Sequence, residues 1–467
     1  MTLQQHMRKN YILAWPVIIT QAGQIFVNVV DNIMVGALGG KFDYVQNPEI
    51  GKVALGAVSL GNALFFVIMV TAMGFSHAIS PLIAQADAKN HLKRGSAILS
   101  HGLVLNMAIT AFLVILIVLI APLMYKMGQP KDVVDQAIPY LKIVGYSMIP
   151  LMIFQSFRQL SEGLSLTLVV ASATIVANIF NVFFNYGLIF GNFGMPRLEV
   201  EGAAMGTFLS RIIMVIMIIV AMWYHQKSRA YLKKISFKNF RKVIFRKLIQ
   251  LGIPSSFQMF FEVGAFAGAA FIVGMGGKDE LAAHQIAMNL ASISFMLCTG
   301  LGIAATIRVG NQLGLRDYKT MKNAGWSAVI MVAVFMFISG ILIILLRYQL
   351  PSIYIDNIAV IEIAAHLLII AALFQLSDGV QVVLLGALRG MQDVNIPTLI
   401  TMFAYFVLAL PLGYYLTVIR EMGAMGMWIG LGIGLTVSAV LLILRYTYKT
   451  NDFIKNKPQR LPMKAFR

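Results

Sequence analysis

Charge is scarce in this chain. Only 12% of its 467 residues are Asp, Glu, Lys or Arg, about half the roughly 25% of an ordinary soluble domain. Cysteine is nearly missing. Cys298 stands alone, so no disulfide can form within the chain, and its place in an apolar run reads as a small packing residue. No GxxxxGK[ST] loop occurs, which argues against ATP drive within the chain. The histidines His77, His284 and His366 are scattered, and no His/Cys/acid spacing builds a zinc site. Neither GxSG with a histidine partner nor adjacent paired aspartates are found, so an intramembrane enzyme has no catalytic constellation here. The alternating pattern of an outer-membrane barrel is absent too. The opening MTLQQHMRKN leads into a run too long for a signal-peptide core, and no cleaved leader is expected.

Apolar residues fill the space that charge leaves. They make up 59% of the chain, with mean hydropathy +0.79. About twelve long apolar runs recur, at 10–38, 51–76, 97–122, 136–158, 166–191, 202–224, 248–275, 280–306, 324–347, 359–386, 395–419 and 424–445. Each can cross a bilayer as a helix. Backbone polar groups in lipid must be satisfied within the segment, so the expected fold is an all-α polytopic membrane protein. With the N-terminus inside, about 27 of the 37 Lys and Arg fall on the cytoplasmic side and about 8 on the outer loops. That asymmetry explains the net charge of +18 by the positive-inside rule, and no nucleic-acid partner is needed. Both termini are then cytoplasmic, in a cell inner (plasma) membrane. The longest inner loop, 225–247 (HQKSRAYLKKISFKNFRKVIFRK), has nine Lys or Arg and no acid, and reads as an anchor against anionic lipid.

The two halves of the sequence repeat each other. WPVIITQAGQIFVNVVDNIMVGALGG at 15–40 aligns with IPSSFQMFFEVGAFAGAAFIVGMGG at 253–277. Pro16 pairs with Pro254, Gly36 with Gly274 and Gly39 with Gly277, all at one offset. Asn62 pairs with Asn289 and Gln85 with Gln312. The fourth and tenth spans both end in short polar signatures, QLSEGLS and GALRGMQD. The expected organisation is an N-lobe at 1–224, the basic inter-lobe loop at 225–247, a C-lobe at 248–448 and a basic cytoplasmic tail at 449–467. Six spans per half give a parallel 6+6 repeat, two six-helix lobes that can rock around a central cavity as in parallel-repeat transporters.

Three acids fall clearly inside spans: Asp31, Glu262 and Asp378. An ionisable residue at membrane depth is a functional candidate because exposure to lipid costs several kcal/mol. Asp31 shares one helical face with Thr20, Gln21, Gln24 and Asn28. Ser255, Gln258 and Glu262 share another, with Phe266 above them. Gln375, Asp378 and Gln381 are spaced three apart. In the repeat frame Glu262 pairs with Gln24, and Asp31 with Ala269. Seven residues return to the same face and rise roughly 10 Å, so the halves place carboxylates on equivalent faces at different depths. Asn181 and Asn185 are four apart on the fifth span, where amides also serve as glue between helices. Arg158 and Glu162 are i, i+4 neighbours and read as a local pair at the membrane surface.

These motifs, in order, resemble the multidrug and toxic compound extrusion (MATE) family, NorM branch, over nearly the full length. The residues that carry the likeness are WPxxxxQ, VVDNIMVG with Asp31, NVFFNYGLIFG with Asn181 and Asn185, EGAAMGTFLSR with Thr207, FQMFFE with Glu262, HQIAMN with Gln285, QLSDGVQ with Asp378, and GALRGMQD. The resemblance implies a cation-coupled antiporter that exports organic, mostly cationic, compounds. It implies an N-lobe cation site at Asp31, Asn181, Asn185 and Thr207, and a C-lobe site containing Glu262 and Asp378. Some relatives carry an acid where this chain has Asn185, and some a tyrosine where it has Phe374; the N-lobe site is then less acidic and one hydroxyl is lost.

Sodium, a hard cation, wants several oxygen ligands. Glu262 with Asp378, or Asp31 with Asn181, would supply them, and the same acids suit reversible protonation. Sodium is the favoured coupling ion, protons the alternative, and no other cofactor is expected. Gln24, Asn28, Gln258, Met259, Phe266 and Gln285 are candidate lining residues. Polarizable Met and aromatic faces suit loosely specified cations. The expected partners are small organic cations and the bilayer, with the chain a monomer. The competing reading is a flippase or exporter of a lipid-linked saccharide or other amphiphile. Such a cargo wants Arg or Lys for its phosphates, and these spans carry acids instead.

Overall fold

A computed structural model describes residues 2–40, 48–126, 130–238 and 240–456. Residues 457–467 of the expected basic tail, and Asn239 of the inter-lobe loop, lie outside them. Among the described residues no strand occurs, and twelve helical stretches are long and apolar enough to cross a membrane. The chain is an all-α, multi-pass membrane protein.

In the N-terminal half the helices are α1 (Leu3–Gly36), α2 (Pro48–Ser76), α3 (Ile79–Ala88), α4 (Leu92–Ile120), α5 (Lys131–Tyr146), α6 (Met148–Gly163), α7 (Thr167–Phe190) and α8 (Glu199–Tyr224). A short α9 (Gln226–Leu232) lies in the inter-lobe loop. The C-terminal half has α10 (Lys242–Gly274), α11 (Lys278–Leu315), α12 (Tyr318–Leu345), α13 (Gln349–Ser352), α14 (Ile358–Gly390), α15 (Asn395–Met402), α16 (Leu410–Tyr414) and α17 (Gly423–Asn456). Two π-helical stretches, Phe403–Ala409 and Tyr415–Ile419, flank α16. Several helices outrun the apolar runs that announce them. The eighth continues to Leu315, well past residue 306, because polar side chains end hydrophobicity without breaking backbone hydrogen bonds. The fourth span is broken at Ser147 into α5 and α6.

The repeat shows in backbone conformation. Ser165 and Gln392 both adopt left-handed φ, 63° and 62°. At the end of α6, Ser165 N–H donates to Glu162 O at 2.8 Å and Leu166 N–H to Ser161 O at 2.8 Å. At the end of α14, Gln392 N–H donates to Arg389 O at 2.9 Å and Asp393 N–H to Leu388 O at 3.0 Å. Both are Schellman-type turns that satisfy the last helical carbonyls. Every atom pair is displaced by the same offset that relates Asn62 to Asn289.

The described residues form two compact units. One holds the described residues within 16–83 and 91–260; the other holds those within 2–15, 84–90 and 261–456. The cut differs from the sequence halves in three places. Residues 3–15 of α1 and the end of α3 belong with the C-terminal helices, and residues 242–260 of α10 belong with the N-terminal ones. The core of the first unit includes Ala54, Ala57, Phe65, Ile117, Leu141 and Val144. The core of the second includes Ala269, Ala287, Leu367, Phe374, Tyr405 and Trp428. Within the second, α11 and α14 cross at backbone distance. A Cβ at Gly386 would strike the Gly302 carbonyl, and Thr306 Oγ1 donates across to Gly386 O at 2.8 Å. Small residues at such a crossing let dispersion and hydrogen bonds replace the hydrophobic drive that lipid removes.

Candidate functional site

The first unit gathers polar groups from α1, α7 and α8. Asn185, fully buried, donates from Nδ2 to Asp31 Oδ1 at 2.6 Å. The same nitrogen lies 3.4 Å from Asn181 Oδ1. Asn181 Nδ2 donates to Ser210 Oγ at 3.2 Å, and Ser210 Oγ donates to the Thr207 carbonyl at 2.9 Å. Four residues singled out in the sequence therefore join one chain of bonds, with Ser210 as an additional link. Asp31 itself is half-buried and Asn185 Oδ1 is buried without a hydrogen-bond partner. A helix with a side chain at position 206 could not approach this closely: a Cβ at Gly206 would collide with Asn185 Oδ1.

A cation stands beside this cluster. Arg211, from α8, donates to Ser147 Oγ at 2.5 Å, and its guanidinium carbon is 5.2 Å from the Phe65 ring centroid. Its charge acts on Asp31 and on Tyr140, whose hydroxyl donates to Asn62 Oδ1 at 3.0 Å. The signal for Arg211 was its position, a base within an apolar span. Gln24 is half-buried and Asn28 exposed on α1.

The second unit holds the other two acids. Glu262 on α10 and Asp378 on α14 are each 7% exposed; the charge of Glu262 acts on Asp378, and that of Arg389 acts on Glu262. Glu262 Oε1, Asp378 Oδ1, Gln381 Oε1 and both amide atoms of Gln375 are buried with no hydrogen-bond partner. Gln381 Nε2 donates to the Tyr405 hydroxyl at 2.7 Å, and Phe266 packs on the Tyr405 ring at 6.2 Å between centroids. Tyr405 was missed in the sequence, where it reads as one more aromatic in an apolar helix. It brings a hydroxyl to a region where Phe374 offers none. Gln285 is exposed on α11. Gln258 and Met259 belong to the first unit, where Met259 lies against Gly74 of α2.

Three side features resolve. The Arg158–Glu162 pair forms at 2.7 Å but is buried, with side chains 7% and 2% exposed. It is the local pair expected, enclosed where the end of α6 packs against α3, with Gly163 against Ser80 and Ile83. His284 accepts a 2.9 Å hydrogen bond from Trp428 Nε1 in the core. Cys298 is buried. Among the described residues no cluster of three or more His, Cys, Asp or Glu could hold a metal in the manner of a zinc site.

Acids, amides and hydroxyls buried in a helical membrane scaffold are equipment suited to a solute carrier. The MatE family profile matches residues 16–187 and 254–415, one segment in each half. Multidrug resistance protein NorM of Photobacterium profundum is 31% identical over 443 residues, 94% of each chain. Probable multidrug resistance protein NorM of Mesorhizobium japonicum is 32% identical over 453 residues, 95% of this chain and 94% of that one. Among solved structures, the eukaryotic MATE transporter AtDTX14 superposes with a TM-score of 0.84 at 19% identity, covering 97% of this chain and 99% of that one. A MOP superfamily transporter from Pyrococcus furiosus, reported with a binding pocket of reversed polarity suggesting a different function, gives 0.85 at 20% identity, covering 96% and 97%. The chain belongs to the MatE family. It is a transporter, not an enzyme.

Proposed function

We propose that this transporter exports small organic, mostly cationic, compounds from the cytoplasm in exchange for sodium or protons, by alternating access. The multidrug resistance names of its relatives support the cargo class. The fold alone does not, since a neighbour of the same fold is described with reversed pocket polarity. The cargo sign is read from this chain's own charges, and its intramembrane acids favour cations over phosphate-bearing lipids.

The observation that carries the reading is the Glu262–Asp378 pair. Two carboxylates buried close enough to feel each other are costly unless a cation sits with them. Their free oxygens, with those of Gln375 and Gln381, form the oxygen-only donor set that a hard cation takes. This favours sodium at the C-terminal site. Asp31 differs in its hydrogen bond, since Asn185 already donates to it; a tethered arginine acts on an acid in both places, Arg211 on Asp31 and Arg389 on Glu262. The positive-inside bias supports cytoplasmic termini in a plasma membrane. Coupling follows if each ligand binds the inward and outward states differently, and each then alters the other's affinity by the same factor.

The test is ethidium efflux from proteoliposomes under imposed sodium or proton gradients, with a saccharide-lipid flipping assay in parallel. Efflux driven by either gradient is expected, and Glu262→Gln or Asp378→Asn should abolish it. Lipid flipping without ethidium efflux would overturn the reading.

A further inference from the structure

Between α15 and α16 the backbone leaves α geometry. Residues Phe403–Ala409 wind as a π-helix, a conformation that is rare and gathers at functional sites. Tyr405 lies in this stretch, and its side chain is fully buried. Two contacts hold it. Gln381 Nε2 donates to its hydroxyl at 2.7 Å, and Phe266 packs on its ring at 6.2 Å. Gln381 stands one turn beyond Asp378 on α14. Phe266 stands one turn beyond Glu262 on α10. Tyr405 is thus gripped by the helical neighbours of both acids, and the charges of both act on its hydroxyl.

That hydroxyl has capacity to spare. A phenol offers one proton and two lone pairs, and Gln381 occupies one lone pair. The Gln381 amide oxygen is itself buried without a partner. A phenol oxygen and an amide oxygen therefore stand on the side of α14 that carries Asp378.

We propose that the Tyr405 hydroxyl oxygen is a neutral ligand of the coupling cation held by Glu262 and Asp378, and that it favours a metal ion over a proton. The inference rests on the reading that this acid pair binds the coupling ion. Rotation about the bond from ring to oxygen turns the phenolic proton away and presents the free lone pair. Sodium gains from each added oxygen because it must replace a hydration shell. A proton needs one carboxylate oxygen and gains little from a third donor. The hydroxyl therefore separates the two ions in a way that the carboxylates cannot. The π turn is the device that aims it: one extra residue per turn rotates Tyr405 relative to the α register.

Tyr405→Phe removes the oxygen and keeps the ring that packs in the core. Three readings are taken on the purified, full-length protein: binding of radioactive sodium in detergent, ethidium binding in sodium-free buffer, and ethidium efflux driven separately by sodium and proton gradients. The expected result is an increase of about tenfold or more in the sodium concentration for half-maximal binding and efflux, the size of one lost bond to a charged ligand. Ethidium affinity and proton-driven efflux should stay within about twofold. Gln381→Leu, which releases the hydroxyl without removing it, should give a smaller shift of the same sign. Unchanged sodium dependence in Tyr405→Phe overturns the proposal, as does an equal loss on every readout, which marks a packing role. Glu262→Gln is run alongside. If it loses the sodium response while Tyr405→Phe keeps it, the ligand role alone fails. If both keep it, the acid-pair reading fails as well; a wild type that binds no sodium overturns the ligand role of Tyr405 and, with proton-driven efflux intact, not the acid pair.

Discussion

Arg308 and His6 are joined twice. The guanidinium donates from Nη1 to the His6 carbonyl at 2.7 Å and from Nη2 to His6 Nδ1 at 2.9 Å. Arginine has no acceptor, so Nδ1 carries a lone pair and any ring proton is on Nε2. The same Nη1 reaches Asn10 Oδ1 at 2.9 Å, and Asn10 Nδ2 donates to Ser327 Oγ at 2.9 Å. All four residues are buried. This network ties the start of α1 to α11 and α12 within one compact unit.

Replacing Arg308 by Met removes three donors at once and leaves two buried acceptors unsatisfied. The expected cost is about 2–4 kcal/mol. A thermal melt in detergent should fall by several degrees, and amide exchange over residues 3–15 should rise before that of α14. A variant that melts like the wild type, with α1 still protected, would show that the network does not hold the helix.

Arg211 and Asp31 should couple energetically. Arg211→Met leaves Asp31 without its nearby positive charge, and Asp31→Asn removes the need for one. The double variant should melt higher than the sum of the single effects implies, by about 1 kcal/mol, since charges acting on one another fail to add. Strict additivity would mean that the two groups are independent.

Gly206→Ala should damage the N-terminal cluster out of proportion to one methyl group. The new Cβ meets Asn185 Oδ1 head-on and its backbone nitrogen at 3.1 Å, so Asn185 must leave Asp31. A loss of about 1–3 kcal/mol is expected, with impaired efflux. Gly264→Ala is the control, because there the Cβ would lie 3.4 Å from Phe406 Cζ, an ordinary contact. Equal behaviour of the two variants would refute the claim.

Outside the spans, Asp317 caps α12 by accepting from Thr320 N at 3.1 Å. A hydrogen bond from the Thr320 side chain, helped by that backbone bond, holds its carboxyl below the usual aspartate range. A depressed folded value stabilises above the unfolded pKa, and the benefit disappears as pH falls through the folded one. Asp317→Ala should therefore cost about 1 kcal/mol of local stability at neutral pH, and the gap to the wild type should close in strong acid. Amide exchange over residues 318–322 reads it directly; a gap that persists in acid would contradict the capping account.

The twelve spans were legible because lipid leaves a backbone no alternative to the helix. Their ends were not, since Leu315 and Ala88 lie on helices that continue where hydrophobicity stops. Asp31, Asn181 and Asn185 announced themselves as polar groups in apolar runs, and the structure brings them together. Ser210 and Tyr140 did not, because a hydroxyl inside a helix is satisfied as readily by its own backbone as by a neighbour. Tyr405 was hidden by register: an α-period reading places it on the wrong face of a π-helical stretch. The division of α1 and α10 between two compact units falls inside unbroken helices, at residues 15/16 and 260/261, so no turn marks it.

The π-helical stretch at Phe403–Ala409 gives chain length a chemical meaning. Deleting one residue there would let the segment rewind as an α-helix without losing any hydrophobic surface. The rewinding would offset the lost residue, so the helix beyond would keep its facing while the residues inside the stretch shifted around its axis. No charge or volume would change at Tyr405, Glu262 or Asp378, yet the hydroxyl and the acids would no longer share a face. Among relatives of this chain, a gap of one position in this helix should be weighed as heavily as a substitution in the site itself.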